Sequence, residues 1–295
     1  MEQPLDGLTI IVPIYNEKGS VKTLGQELAE LFGKADFPVE AILVDDGSTD
    51  GTGQLLGELN FGNLQVITHE GNWGYGAAIK TGMAMAKYPV FAITDADGTY
   101  PTARLIEMYH RLAQGKLDMM VGARTHPEAA IPLIRRPPKW ALNKLAEFLT
   151  GKHIPDLNSG LRVMRLESVK PFLGILPDGF SFTTTITIAM LKNHMKVEFT
   201  PITYGHREGK SKIRPIADTL NFLQLIIRVS MYYDPLKVFI PLSLLSTLMA
   251  FLALVGGWLV FGKPFDVTFG LLATAGLIFL AVGMLADFID KQFKR

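Results

Sequence analysis

Through the first 200 residues, short apolar runs that close on polar clusters alternate with longer segments whose apolar positions recur every three or four residues. The runs at 8–12, 41–44, 64–68, 90–94 and 119–121 read as strands, and the segments at 20–32, 51–59, 75–86, 101–113 and 138–149 as helices. That alternation predicts a doubly wound α/β domain, in which ligands gather where strand ends meet helix starts.

Beyond residue 214 the pattern changes. From 215 to 233, Ile216, Leu220, Leu223, Ile227 and Met231 fall on one helical stripe, with Asp218, Asn221 and Arg228 elsewhere on the wheel. Such a helix could lie along a membrane interface, with Tyr232 and Tyr233 at headgroup depth, or pack on the globular domain. Residues 238–261 contain no charge, and at ~1.5 Å per residue they reach roughly 36 Å, enough to cross a bilayer with some tilt. A second apolar run follows the turn-like Gly262-Lys263-Pro264-Phe265-Asp266. The expected organisation is a domain at 1–214, an amphipathic juxtamembrane segment at 215–236, and a transmembrane hairpin at 237–295 with spans near 238–261 and 267–287. Two buried core helices are the alternative. Lys237, Lys291, Lys294 and Arg295 flank the spans, so the positive-inside bias predicts a multi-pass inner-membrane protein with both termini cytoplasmic. The N-terminus shows no basic segment followed by an apolar core, so the first domain is expected to stay in the cytoplasm.

Composition narrows the chemistry. A formal net charge of +1 argues against nucleic acid as the partner. With no cysteine there is no disulfide framework, thiolate nucleophile or zinc–thiolate cluster.

Three blocks converge on the predicted sheet edge. Val12-Pro13-Ile14-Tyr15-Asn16-Glu17 combines a rigid turn, an aromatic face on which a nucleobase could stack, and a carboxylate. In Val44-Asp45-Asp46-Gly47-Ser48-Thr49-Asp50, the two acids could accept from base or ribose, while Ser48, Thr49 and Asp50 are expected to cap the next helix. Asn72-Trp73-Gly74-Tyr75-Gly76 is a glycine-rich helix entry whose N–H groups could approach a diphosphate. The most informative motif is Asp95-Ala96-Asp97-Gly98, just past a buried strand. Two carboxylates so close could hold a hard divalent cation shared with substrate phosphate; a solvated turn is the plainer reading. Between Arg124 and Arg165 stand eight Lys/Arg against three acids, an excess suited to anionic headgroups.

These motifs, with Asp156-Leu157-Asn158-Ser159-Gly160-Leu161-Arg162, resemble in order those of the family 2 glycosyltransferases. The resemblance spans roughly residues 6–235 and is greatest to the dolichyl-phosphate mannose synthase and polyisoprenyl-phosphate glycosyltransferase branch. It implies a GT-A-type domain that transfers a sugar, with inversion, from a UDP- or GDP-sugar to undecaprenyl or dolichyl phosphate. Pro13, Tyr15, Glu17, Asp45, Asp46, Gly74, Asp95, Ala96 and Asp97 would bind the nucleotide sugar, and Asp95, Asp97 and Thr99 would hold Mg²⁺ or Mn²⁺. Where mannose synthases often read Leu-Gln after the acidic pair, this chain reads Gly98-Thr99. Arg124 and Asp156 would join the acidic pair in catalysis, Asp156 as base, as an orienting group, or as a brace for Arg162. Arg124, Arg136, Ser159, Arg162, Arg207, Ser211 and Lys212 would bind acceptor or diphosphate. Residues 125–133 would form an acceptor loop, and 206–214 either a lid or a polybasic stretch that binds anionic lipid. Membrane lipids are further expected partners, and the hairpin could support self-association. Rival readings are a membrane-anchored transferase with another acceptor and a catalytically inactive membrane scaffold. The Gln-x-x-Arg-Trp signature of processive synthases is not met at 224–229.

Overall fold

The computed structural model describes residues 6–125, 143–144, 146–179, 181–205 and 234–293, the last with backbone alone at 290 and 293. The chain divides into two compact units, Met1–Asp218 and Thr219–Arg295.

Among the described residues, unit 1 has seven strands: β1 (Leu8–Ile14), β2 (Val39–Asp45), β3 (Leu64–Thr68), β4 (Val90–Ile93), β5 (Met119–Ala123), β6 (Arg162–Arg165) and β7 (Val197–Pro201). Their order in the sheet is β3-β2-β1-β4-β6-β5-β7. The β1, β2 and β4 segments are apolar on both faces because helices cover both, and Leu8, Ile10, Ile11, Val12, Ile42, Leu43, Phe91 and Ile93 are buried. Helices α1 (Val21–Lys34), α2 (Thr52–Gly57), α3 (Tyr75–Met85) and α4 (Arg104–Gly115) link the first five strands. Their buried stripes follow helical spacing, as in Val21, Leu24, Leu28 and Leu31 of α1 and Leu105, Met108, Tyr109 and Leu112 of α4. The chain builds outward from β1 to β3 and then returns to lay β4 on the other flank of β1. The reversal makes a switch point beside the C-terminal ends of β1 and β4, the crevice where open α/β sheets hold ligands.

The sheet is mixed. β6 runs antiparallel to both β4 and β5, whereas β5 and β7 are parallel. Neither β6 nor β7 was among the predicted strands, and neither short helix α5 (Leu166–Val169) nor α6 (Phe182–Lys192) was expected. In α6 every residue from Phe182 to Leu191 is buried, so no polar face marks it as a helix. Thr185 and Thr187 satisfy their hydroxyls on the carbonyls of Ser181 and Thr183 one turn back.

Unit 2 contains α7 (Leu236–Phe261) and α8 (Asp266–Phe293), both long and apolar enough to cross a membrane. Only 11% of the most apolar window of each is buried, unlike the core helices of a soluble domain. They run antiparallel through a seam of small residues. Ser246 Oγ donates to the Leu272 carbonyl at 2.7 Å. Gly276 faces Thr247, and Gly283 faces Phe239, at distances that leave no room for a Cβ.

Candidate active site

The ends of β1 and β2 are stitched together by side chains. Asn16 sits in the left-handed region at φ 53°, which asparagine tolerates better than most residues. Its N–H donates to Ser48 Oγ at 2.9 Å, and its Oδ1 accepts from the Thr49 N–H at 2.8 Å. The Glu17 N–H donates to Thr52 Oγ1 and the Lys18 N–H to Asp50 Oδ2. Of the three residues expected to cap α2, Asp50 alone addresses its first turn, accepting from the Thr52 N–H at 3.0 Å. Ser48 and Thr49 bind Asn16 instead. Pro13, Tyr15 and Glu17 are half-exposed along this edge.

Asp45 and Asp46 are turned inward, 1% and 3% exposed. Asp45 Oδ1 accepts from the Ser48 N–H at 3.0 Å. Asp46 accepts at 2.8 Å from the N–H groups of both Trp73 and Gly74 and meets His69 Nδ1 at 2.8 Å. The other His69 nitrogen lies 2.9 Å from Thr81 Oγ1, and the ring stacks on Trp73 with centroids 4.3 Å apart. The glycine-rich entry expected to offer N–H groups to a diphosphate has therefore already given two of them to an internal carboxylate. A third, from Ala77, goes to the Asp178 carbonyl at 2.9 Å. Its glycines serve packing: a Cβ on Gly74 would lie 2.5 Å from the Asp178 carbonyl oxygen, and one on Gly76 would collide with that of Pro177.

Asp95 and Asp97 stand at the switch point, half-buried, with Ala96 buried between them. Tyr75 Oη donates to Asp95 Oδ1 at 3.2 Å. Thr99 donates to Asp97 Oδ1 through both its hydroxyl, at 2.6 Å, and its N–H, at 3.2 Å. Thr99, which the resemblance implied as a metal ligand, is 1% exposed and spends its hydroxyl on orienting Asp97. Gly98, at φ 69°, makes the tight turn between them. Among the described residues no group of three or more His, Cys, Asp or Glu converges into a metal cage. A pair of oriented carboxylates instead fits Mg²⁺ or Mn²⁺, hard cations that complete their shell with substrate phosphate oxygens and water.

Strand β6 delivers the next block. Ile93 pairs with Arg162 in the antiparallel register, which sets Gly160 opposite Asp95 two residues beyond the ladder. A Cβ on Gly160 would lie 2.8 Å from Asp95 Oδ1. The Gly160 N–H donates to Tyr100 Oη at 2.8 Å, and Tyr100 packs edge-on against Tyr204. Arg124 follows β5, next to β7, whose chain continues to Tyr204. Its guanidinium lies 5.3 Å over the Tyr204 ring. Arg124 also grips Asp156 through Nε at 2.7 Å and Nη2 at 3.0 Å, with its own N–H adding a bond at 3.1 Å. Burial works against this guanidinium's charge, but the Asp156 hydrogen bonds more than compensate and lift its pKa above the ordinary value.

Ser159 and Arg162 were expected to meet an anion, yet both are fully buried. Ser159 Oγ donates to the Gly122 carbonyl. Arg162 donates to the carbonyls of Ser159 and Leu157 and to Thr187 Oγ1 at 2.8, 3.0 and 2.7 Å. Burial pushes its pKa down to about 10, which leaves it charged at neutral pH. Both residues shape the 156–160 loop from beneath. Tyr75, Tyr100 and Tyr204 carried no assigned role in the sequence reading. The register of β6 sets Gly160 against Tyr100 and the pairing of β7 leads to Tyr204, neither strand having been expected, whereas Tyr75 enters as the first residue of α3. Arg136, Arg207, Ser211 and Lys212, nearly all of the 125–133 loop, the 206–214 lid and the 215–233 helix lie outside the described residues.

The family model described as "Glycosyl transferase family 2" matches residues 9–172. A dolichyl-phosphate hexose transferase of Haloferax volcanii is 29% identical over 229 residues, covering 77% of this chain and 96% of its own. An undecaprenyl-phosphate 4-deoxy-4-formamido-L-arabinose transferase of Pseudomonas fluorescens is 27% identical, across 98% of this chain and 86% of its own. Among solved structures, glucosyl-3-phosphoglycerate synthase from Mycobacterium tuberculosis, in complex with Mn²⁺, UDP-glucose and phosphoglyceric acid, has a TM-score of 0.57. It is 16% identical, over 75% of this chain and 79% of that one, and so shares the fold.

Proposed function

The chain belongs to glycosyl transferase family 2, and from that premise we propose that it transfers a sugar from a nucleotide sugar to the phosphate of a polyprenyl lipid at the cytoplasmic face of a membrane. The observation that carries this reading is that the likeness to an undecaprenyl-phosphate sugar transferase covers 98% of this chain, both long apolar helices included. Those helices would hold unit 1 at the bilayer, where a lipid phosphate is presented.

The acceptor needs little activation. A phosphate monoester has a second pKa near 6, so at neutral pH it is largely a dianion and already nucleophilic. Its oxygen would bond to the anomeric carbon from the face opposite the diphosphate as the bond to the diphosphate oxygen breaks, which inverts the centre. The difficulty is electrostatic, since two anions must be brought together. Arg124, held by Asp156 at the strand edge, would receive the acceptor phosphate, while Pro13, Tyr15 and Glu17 line the nucleotide side. Asp156, already committed to Arg124, would serve as orienting group, and no general base is required. Mg²⁺ or Mn²⁺ held by Asp95 and Asp97 would supply charge neutralisation on the leaving diphosphate. UDP is the favoured nucleotide and undecaprenyl phosphate the favoured acceptor.

The test is transfer from radiolabelled UDP- and GDP-sugars to undecaprenyl phosphate in detergent or liposomes. Asp97→Asn should abolish transfer with folding nearly intact, because it removes charge from a half-exposed edge and leaves the core packing alone. Full activity in that variant would sink the metal role, and no lipid product with any nucleotide sugar would sink the acceptor assignment.

A further inference from the structure

The acidic pair is held by two hydroxyl groups, one on Tyr75, which carried no assigned role, and one on Thr99, which was expected as a ligand rather than a brace. Tyr75 Oη reaches Asp95 at 3.2 Å, and Thr99 Oγ1 reaches Asp97 at 2.6 Å. Each bond fixes one oxygen of a carboxylate and so the plane in which the other can turn. Tyr75 is itself positioned. It is the first residue of α3, and the two residues before it are clamped through their N–H groups by the buried Asp46. Asp46 is braced in turn by His69, whose ring stacks on Trp73. A continuous line of contacts thus runs from the end of β2, through the 69–75 loop, to the carboxylate at the end of β4. Thr99 is anchored from its other side as well, because its carbonyl accepts from the Gly205 N–H at 2.9 Å.

We propose that Tyr75 and Thr99 are the positioning residues of the cation site, presetting Asp95 and Asp97 to receive a divalent metal, with Asp46 acting on Tyr75 through the Trp73–Gly74 backbone. The inference rests on the reading of Asp95 and Asp97 as metal carboxylates. Outer partners of this kind restrict the rotamers of the ligands, so that binding no longer has to freeze them. Their loss typically lowers metal affinity by about 10–100-fold. Thr99 also gives the Gly98-Thr99 sequence a physical role: a short β-branched hydroxyl two residues after Asp97 can bond back to that carboxylate within one turn.

The experiment measures Mn²⁺ binding to the full-length protein in detergent with saturating UDP, by the loss of the free Mn²⁺ paramagnetic signal. UDP binding without metal is followed in parallel by calorimetry. Tyr75→Phe and Thr99→Val should each weaken Mn²⁺ binding by about 10-fold or more, with metal-free UDP affinity and thermal midpoint close to wild type. Thr99→Ser, which keeps the hydroxyl, should bind Mn²⁺ nearly as the wild type does. Wild-type Mn²⁺ affinity in both Tyr75→Phe and Thr99→Val would overturn the positioning role while leaving the metal reading intact. Failure of the wild type to bind Mn²⁺ with UDP would remove the metal reading and this inference with it. If Thr99→Ser proves as weak as Thr99→Val, packing and not the hydroxyl orients Asp97, and the inference fails there too.

Discussion

Replacing Arg124 with alanine separates its pairing with Asp156 from the acceptor role proposed for the same guanidinium. The side chain is 20% exposed and its partner Asp156 only 1%. Arg124→Ala deletes two charge-assisted hydrogen bonds to a carboxylate that stays buried. Removing one partner of a buried pair costs about 3–5 kcal/mol, and the partial exposure of Arg124 places this case near the lower end, at about 3 kcal/mol. If the same guanidinium receives the acceptor phosphate, its loss also removes a charge-assisted bond worth roughly 1.5–3 kcal/mol to that ligand. Acceptor affinity should fall by about one to two orders of magnitude, with nucleotide-sugar binding barely changed. The double variant Arg124→Ala/Asp156→Ala distinguishes the two effects. It leaves neither charge without the other, so much of the lost stability should return, while the acceptor defect persists. Arg124→Lys should fall between, because an ammonium keeps the charge but cannot form the two-pronged grip on Asp156. Chemical denaturation reads stability, calorimetry reads nucleotide affinity, and transfer kinetics at varied polyprenyl phosphate read the acceptor. Equal weakening of both ligands would move Arg124 to the shared diphosphate region. Recovery of acceptor affinity in the double variant would mean that Arg124 serves only to neutralise Asp156.

Two further variants probe the carboxylate pair and the strand that carries it. Gly160→Ala would set a Cβ 2.8 Å from Asp95 Oδ1 and 3.0 Å from its Cγ, forcing that carboxylate off its Tyr75 bond. Because the obstructing atoms end a side chain, stability should change by no more than about 1 kcal/mol while Mn²⁺ affinity falls about 10-fold or more; unchanged Mn²⁺ binding would show that Asp95 tolerates the shift. Thr94, immediately before Asp95, is fully buried and its hydroxyl finds no hydrogen-bond partner among the described residues. Thr94→Val should therefore be neutral or stabilise by about 1 kcal/mol in denaturation, and a loss of more than about 1 kcal/mol would mean that the hydroxyl has a partner such as an internal water.

Periodicity made five of the seven described strands legible because β1 to β5 are short apolar runs ended by polar residues. The expected 64–68 strand has the bounds of β3, and the other four differ from β1, β2, β4 and β5 by one or two residues at one or both ends. The apolar hairpin was visible for the same reason, with expected spans at 238–261 and 267–287 against helices at Leu236–Phe261 and Asp266–Phe293. The later elements were hidden by composition. β6 reads Arg162-Val163-Met164-Arg165, and arginines at both ends look like a basic surface segment. Arg162 is nonetheless fully buried, because two loop carbonyls and a threonine hydroxyl meet its guanidinium. A charged residue is buried only when paired or hydrogen-bonded in this way, and the partners here lie up to 25 residues away in sequence.

The same physics explains why the motif acids had the right location but mixed roles. A run such as Val44-Asp45-Asp46-Gly47 places carboxylates at a strand end, yet a strand end offers two destinations. One is the ligand crevice. The other is the set of N–H groups that the next loop leaves without helical or sheet partners, and a carboxylate satisfies two of these at once. Asp46 took the second, binding the Trp73 and Gly74 N–H groups and His69. Asp95 and Asp97 each accept a hydroxyl yet remain half-exposed. What separates these outcomes is the neighbouring strand. Beside β2, the loop that follows β3 supplies N–H donors, whereas beside β4 the antiparallel β6 supplies Gly160, which has no side chain to fill the space in front of Asp95. Asp95 therefore keeps the space its carboxylate occupies because one strand reverses direction and brings a glycine into register opposite it.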